Sequence, residues 1–68
     1  MECQFDFNED PQFLAPKIKT MLKDVLARTR ADMSRLTEPH AQTLFETTAD
    51  VLRGLVRAYE RYEDAWQQ

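Results

Sequence analysis

The stretch LTEPH at residues 36–40 decides the fold of this chain, because it separates two long segments in which apolar residues follow a helical spacing. The residue before a proline is pushed toward extended geometry, so a first helix should end ahead of Pro39. A second helix should start at one of the two residues that precede this proline. We therefore expect an all-α chain with helices over about residues 16–36 and 38–66.

Both segments carry an apolar stripe on one helical face. The intervals are 4-3-4-4-3 in the first segment, and they alternate between 4 and 3 for nearly four heptads in the second. Asp32 falls just inside the first stripe by helical angle, so the apolar surface should fade toward the connection. The stripe residues are Ile18, Leu22, Val25, Thr29, Met33 and Leu36, followed by Ala41, Phe45, Thr48, Leu52, Leu55, Tyr59, Tyr62 and Trp66.

The short connection predicts an antiparallel two-helix hairpin. The chief alternative is one long helix kinked at Pro39, with helix pairing between chains. Charge favours the hairpin modestly. Folding back brings Lys17 and Lys19 near Glu60 and Glu63, but it also sets Lys23 level with Arg53. Exposed ion pairs of this kind contribute less than about 1 kcal/mol each.

Pro16 bounds the first helix in this prediction, because a proline inside a helix removes one backbone hydrogen bond. Asp10-Pro11 has the form of an N-cap followed by a proline in the first turn. We expect residues 10–15 to form a short turn before the helix, as part of an extended or partly ordered segment over residues 1–15. The whole chain is then a single helical-hairpin domain.

The second helix is the longer of the two predicted helices, and at 1.5 Å per residue it should overhang the first by roughly 12 Å. This overhang carries Tyr62 and Trp66. The N-terminal segment contains Phe5 and Phe7 among acidic residues, which suggests that it folds over the aromatic end. A disordered tail with incidental phenylalanines is the alternative.

The apolar surface is too wide for one hairpin, since each arc spans about three positions per heptad and one antiparallel partner covers roughly two. A chain of 68 residues buries only about 60% of its unfolded surface, and its single cysteine allows no intrachain disulfide. We therefore expect association, either as a homodimer that forms a four-helix bundle or with a helical protein partner, in the role of an adaptor, a regulator or a small chaperone. The predicted interface residues are Met21, Leu26, Met33, Leu44, Val51, Val56, Tyr62 and Trp66.

Enzymatic activity is not expected, and neither is a cofactor or a metal. The single histidine, His40, lies at a helix start without the Glu-x-x-His pattern of helical di-iron sites. Cys3 and Ser34 have no histidine partner suggested by spacing, and no glycine-rich loop could hold phosphate.

Nucleic-acid binding is the alternative function, and we consider it the weaker one because the net charge is −3 and no base-reading motif occurs. It would use basic residues from both helices as phosphate contacts in a dimer. These residues are Lys19, Lys23, Arg30, Arg35, Arg53, Arg57 and Arg61.

No apolar run approaches the roughly 18 residues needed to span a bilayer, so we expect no membrane association. The first residues do not begin a basic-then-apolar signal peptide. Together with the single cysteine, this predicts a soluble, cytoplasmic protein.

Gly54 is the one glycine, and it falls inside the second helix, where it costs about 1 kcal/mol relative to alanine. It faces away from the main stripe. A glycine there either admits a second helix or is simply tolerated, and we favour tolerance.

Overall fold

The computed structural model describes residues 10–66, and over this range the chain forms two α-helices and no β-strand. Helix α1 is Pro11–Met33 and helix α2 is Pro39–Trp66. The helices pack against each other, and Lys19 Nζ lies 2.6 Å from Glu63 Oε1 although the two residues are 44 positions apart. The predicted antiparallel hairpin is confirmed, and Lys19 with Glu63 is one of the charge contacts that folding back was expected to allow.

Helix α1 begins five residues earlier than predicted, at Pro11 rather than Pro16. The carboxylate of Asp10 accepts a hydrogen bond of 3.0 Å from the backbone N–H of Gln12, and Pro11 occupies the first turn, where its missing N–H is not needed. Pro16 lies inside the helix without ending it. The prediction of a short turn over residues 10–15 was therefore wrong, because a strong cap outweighs the single hydrogen bond that Pro16 removes.

Helix α1 also ends earlier than predicted, at Met33 rather than Leu36. The backbone N–H groups of Arg35 and Leu36 donate to the carbonyls of Asp32 and Met33, at 3.0 and 3.1 Å. These bonds span three residues instead of four, so they tighten the last turn and end the helix. The turn needs no left-handed residue, since none of the residues from 10 to 66 has a positive φ.

Glu38 caps helix α2 and fixes its entry. Its carboxylate accepts a 2.8 Å hydrogen bond from the backbone N–H of Ala41, and its carbonyl accepts one of 3.0 Å from Gln42. The carboxamide of Gln42 donates to the carbonyl of Leu36 at 2.7 Å. The side chains of Glu38 and Gln42 thus hold the backbone of the connection in place.

The contact between the helices, which we call the seam, is formed by buried and half-buried residues at heptad spacing. Thr29 and Ala49 are buried near its middle. The Thr29 hydroxyl donates to the carbonyl of Val25 at 2.7 Å, so its burial leaves no unmet donor. The seam comprises Ala15, Lys19, Leu22, Leu26, Thr29 and Met33 of α1, and Phe45, Ala49, Leu52, Val56, Tyr59 and Glu63 of α2.

The two helices end level with each other at the open end of the hairpin. Gln12 and Ala15 of α1 line a common depression with Glu63 and Trp66 of α2. The predicted 12 Å overhang was wrong, because it assumed that α1 starts at Pro16. The predicted cover of this end by Phe5 and Phe7 lies outside the described residues.

Candidate interaction surface

The two sides of the hairpin differ in chemistry, and helix geometry explains why. Each residue is rotated by about 100° from the one before it, so the positions just before and just after each seam residue lie on opposite sides of the hairpin. Because the helices run in opposite directions, the preceding positions of both helices come to the same side. One side, which we call the apolar face, consists mainly of Ile18, Met21, Val25, Leu44, Val51 and Leu55.

The opposite side, the charged face, is made of the positions that follow the seam residues. Acidic and basic groups alternate there, and Arg53 pairs with Asp50 one turn away. The charged face comprises Lys23, Arg30, Glu46, Asp50, Arg53, Arg57, Glu60 and Asp64. A mixed-sign surface of this kind is well suited to contact with water.

The apolar face is exposed along the whole hairpin. Its six large side chains are between 42% and 62% exposed, with Leu44 and Met21 the most accessible. Scattered exposed hydrophobic residues are ordinary, but a continuous patch on one side marks an interaction surface. The apolar face is therefore the candidate functional site.

A groove of about 550 Å³ forms the open-end half of the apolar face. Ile18 of α1 lines it together with Ala58 and Tyr62 of α2, which all precede seam residues and therefore share one side as the helix geometry requires. Its lining is predominantly apolar and consists of Pro11, Leu14, Ala15, Ile18, Ala58, Tyr59 and Tyr62.

Toward the turn, the α1 half of the apolar face becomes polar. Arg28 Nε lies 2.8 Å from Asp32 Oδ2, one helical turn apart. On α2 the same level carries Leu44 and Thr48, and the Thr48 hydroxyl donates to the Leu44 carbonyl at 2.9 Å. The structure thus agrees with the prediction that the apolar surface fades near Asp32.

The predicted interface residues divide between exposed and covered positions. Met21, Leu44 and Val51 lie on the apolar face, whereas Trp66, also half-exposed, lies at the open end. Its ring meets that of half-buried Tyr62 edge-to-face, with centroids 6.1 Å apart.

Three predicted interface residues face the other helix instead. Val56 is only 7% exposed, and Leu26 and Met33 are half-buried in the seam. Their placement at an exposed edge was wrong, because the hairpin closes over that edge of the apolar arc. Consequently Ile18, Val25 and Leu55, which we expected between the helices, are exposed.

The predicted nucleic-acid contacts are not gathered into one basic patch. Lys19 is half-buried in the seam and bound to Glu63, and Arg53 pairs with Asp50. The remaining five are exposed: Lys23, Arg30 and Arg57 lie among the carboxylates of the charged face, Arg35 lies in the turn and Arg61 lies on the back of α2. The described residues therefore offer no surface of one sign for a phosphate backbone.

His40 is an exposed neighbour of the α2 cap. Its Nδ1 lies 3.1 Å from Glu38 Oε2, and the backbone N–H groups of Ala41 and His40 hold the pKa of the Glu38 carboxyl below its ordinary value. No three His, Cys, Asp or Glu side chains within residues 10–66 come together as metal ligands could. The chemistry at this position is that of a helix cap.

Neither helix in the described part of the chain combines the length and the apolar character needed to cross a bilayer. Comparison with protein-family models, curated proteins and solved structures finds no match to this chain. Function is accordingly inferred from the surfaces of the hairpin.

Proposed function

We propose that this chain is a small, non-enzymatic protein–protein interaction module that acts through its apolar face as a homodimer. The observation that carries the proposal is the exposure of six large apolar side chains on one side of a hairpin whose other side is charged. Two hairpins that bring their apolar faces together form a four-helix bundle, with both charged faces in water.

The energetics of the hairpin support association. Among the described residues only Ala49, Leu52 and Val56 are buried apolar residues. Apolar burial contributes about 25 cal/mol per Å², and chains of this size usually need a further source of stability. A second hairpin would supply that source by covering the face left open.

The size of the apolar face also suits a partner protein. Helix α1 has 23 residues, so the face is about 35 Å long, and two adjacent helices make it about 20 Å wide. A standard interface buries about 800 Å² on each partner, which such a face can supply. In the cell, such a module would serve in the cytoplasm as an adaptor, a regulator or a small chaperone for amphipathic helices.

Sedimentation of the full chain, together with a matched pair of variants, tests the proposal. Val25→Lys puts a charge on the apolar face, whereas Ala27→Lys puts the same charge on the same helix but on the charged face. We expect wild type and Ala27→Lys to sediment as dimers at micromolar concentration. Val25→Lys should lose at least tenfold in dimer affinity, because its ammonium group would have to be buried.

Two results would contradict the proposal. One is a wild-type chain that is monomeric, fully helical and cooperatively melting at micromolar concentration. The other is equal dimer affinity in the two lysine variants, since association would then use a different surface. A chain that is partly molten alone and gains helix only with another protein would point to a partner other than itself.

A further inference from the structure

We infer that the second copy lies on the apolar face with its turn at the same end as the turn of the first. In this arrangement α1 of each copy lies over α2 of its partner. The inference rests on the proposed function, because it requires two copies joined through this face. It adds the orientation of the partner, which decides which residues meet.

Two-fold symmetry allows two simple ways of joining the apolar faces. With the turns at the same end, each α1 residue meets the partner's α2 at the level it already has in its own hairpin. With the turns at opposite ends, each α1 crosses the partner's α1 in reversed order. The distribution of side chains along the face separates the two.

The levels along the hairpin follow from the groove. Ile18 and Tyr59 line it together, and equal steps of 1.5 Å along both helices bring Val25 level with Leu52, whose neighbour Val51 lies on the apolar face. By the same steps Met21 comes level with Val56, whose neighbour Leu55 lies on the apolar face. Same-end pairing therefore places apolar residues on apolar residues from the open end to the middle, without any shift along the helix axis.

The polar part of the face gives the stronger reason. Arg28 and Asp32 form their ion pair on the α1 half near the turn. Opposite-end pairing at full overlap would press this pair onto the partner's groove, near Leu14 and Ile18. Removing an ion pair from water against apolar side chains costs more than the pair regains.

Same-end pairing reduces this cost. It gathers the Arg28–Asp32 pairs of both copies at one end of the bundle, beside Leu44 and Thr48 of the partner copy, where the pairs keep contact with water. A lengthwise shift could also relieve opposite-end pairing, but it would leave Leu44 and Val51 exposed in both copies. Same-end pairing is the arrangement that covers the apolar face and keeps the ion pairs at an edge.

A distance measurement on the full-length dimer distinguishes the two arrangements. Cys3→Ser removes the native cysteine, and Thr37→Cys then puts one spin label in each turn. Same-end pairing predicts a label-to-label distance of roughly 20 to 30 Å, the width of the bundle. Opposite-end pairing predicts about 40 Å or more, the length of α2.

Labels at Ala27→Cys, near the middle of α1 on the charged face, provide the control. Both arrangements place these labels at similar separations, so this distance checks labelling and dimer formation. A long distance at position 37 in a confirmed dimer would overturn the inferred arrangement and leave the proposed function standing. A monomeric mass for the unlabelled wild-type chain would overturn both.

Disulfide trapping gives an independent readout in the Cys3→Ser background. Chains with Val25→Cys and chains with Val51→Cys are mixed and oxidised, so that any mixed disulfide must join two copies. Same-end pairing brings these positions together and predicts mixed disulfides, since a disulfide needs Cβ atoms about 4 Å apart. Preferential linkage of Met21→Cys chains to one another would instead show α1 lying on α1 and refute the arrangement.

Discussion

The seam and the apolar face are built from the same kinds of side chain, on neighbouring positions of the same two helices, yet only the seam is covered. Leu52 in the seam is 9% exposed, whereas Leu55, three residues later, is 43% exposed. One partner helix covers one edge of a wide apolar arc and leaves the other edge open. The hairpin therefore supplies half of a core, and a second contact has to supply the rest.

The seam and the apolar face should differ most in how much free energy of unfolding is lost when a leucine is shortened to alanine. Leu52→Ala should lower the free energy of unfolding by about 2–3 kcal/mol, the lower part of the range for buried leucines. Leu55→Ala should cost less than about 1 kcal/mol in the isolated hairpin, because its side chain is already half in water. Urea denaturation at concentrations where sedimentation shows single chains measures both values.

At concentrations where the chain is dimeric, the cost of Leu55→Ala should rise toward that of Leu52→Ala. Equal costs in the isolated hairpin would show that seam and face are not distinct. A cost of Leu55→Ala that stays small at every concentration would show that nothing covers the face.

Gly54 gives a test of intermediate size on the back of α2, away from both regions. A Cβ added there meets no atom within 4 Å. Gly54→Ala should therefore raise the free energy of unfolding by about 1 kcal/mol, or several degrees in thermal melting. The reverse change on the charged face of α1, Ala27→Gly, should lower it by a similar amount; destabilisation by Gly54→Ala would mean that a second chain packs on the back of α2.

The smallest expected effect concerns the ion pair at the open end of the seam. Hydrogen bonding to Glu63, with further support from Glu60 and Asp64, raises the pKa of Lys19 above its ordinary value of 10.5. Protonated Lys19 therefore stabilises the fold below pH 10.5, and this contribution is lost as the pH rises through the raised pKa.

Urea midpoints measured from about pH 9 to 12 should fall less steeply in Lys19→Met than in wild type. The two proteins share every other titratable group, so the difference between the two slopes isolates Lys19. Identical slopes would mean that the ion pair does not contribute to closing the seam.

The sequence was sufficient to predict two helices, their antiparallel pairing and the approach of Lys19 to Glu63. These features depend on apolar periodicity and on the break at Pro39, which are local properties. The fading of the apolar surface at Asp32 was also readable, because a charged residue stands out inside an apolar stripe.

Which edge of each apolar arc faces the other helix could not be predicted from the sequence in the same way. By helical angle, the arc that contains both Val25 and Leu26 can turn either edge toward α2. The structure turns Leu26 inward and Val25 outward, and it buries Thr29 and Ala49 in the seam. The signal that could have found this is the small size of Ala49, which favours close approach of the helices at that level.

Pro16 leaves the first turn of α1, which forms part of the groove wall, with fewer backbone hydrogen bonds. It has no N–H, so the carbonyl of Gln12 lacks the partner that the next turn of a helix normally supplies. The first turn of α1, which holds Pro11 and Leu14 in the groove wall, is therefore secured by the Asp10 cap and by fewer bonds to the rest of the helix. We expect this turn to unfold locally at a lower free energy than the middle of the hairpin, so that the groove can change shape while the seam stays intact.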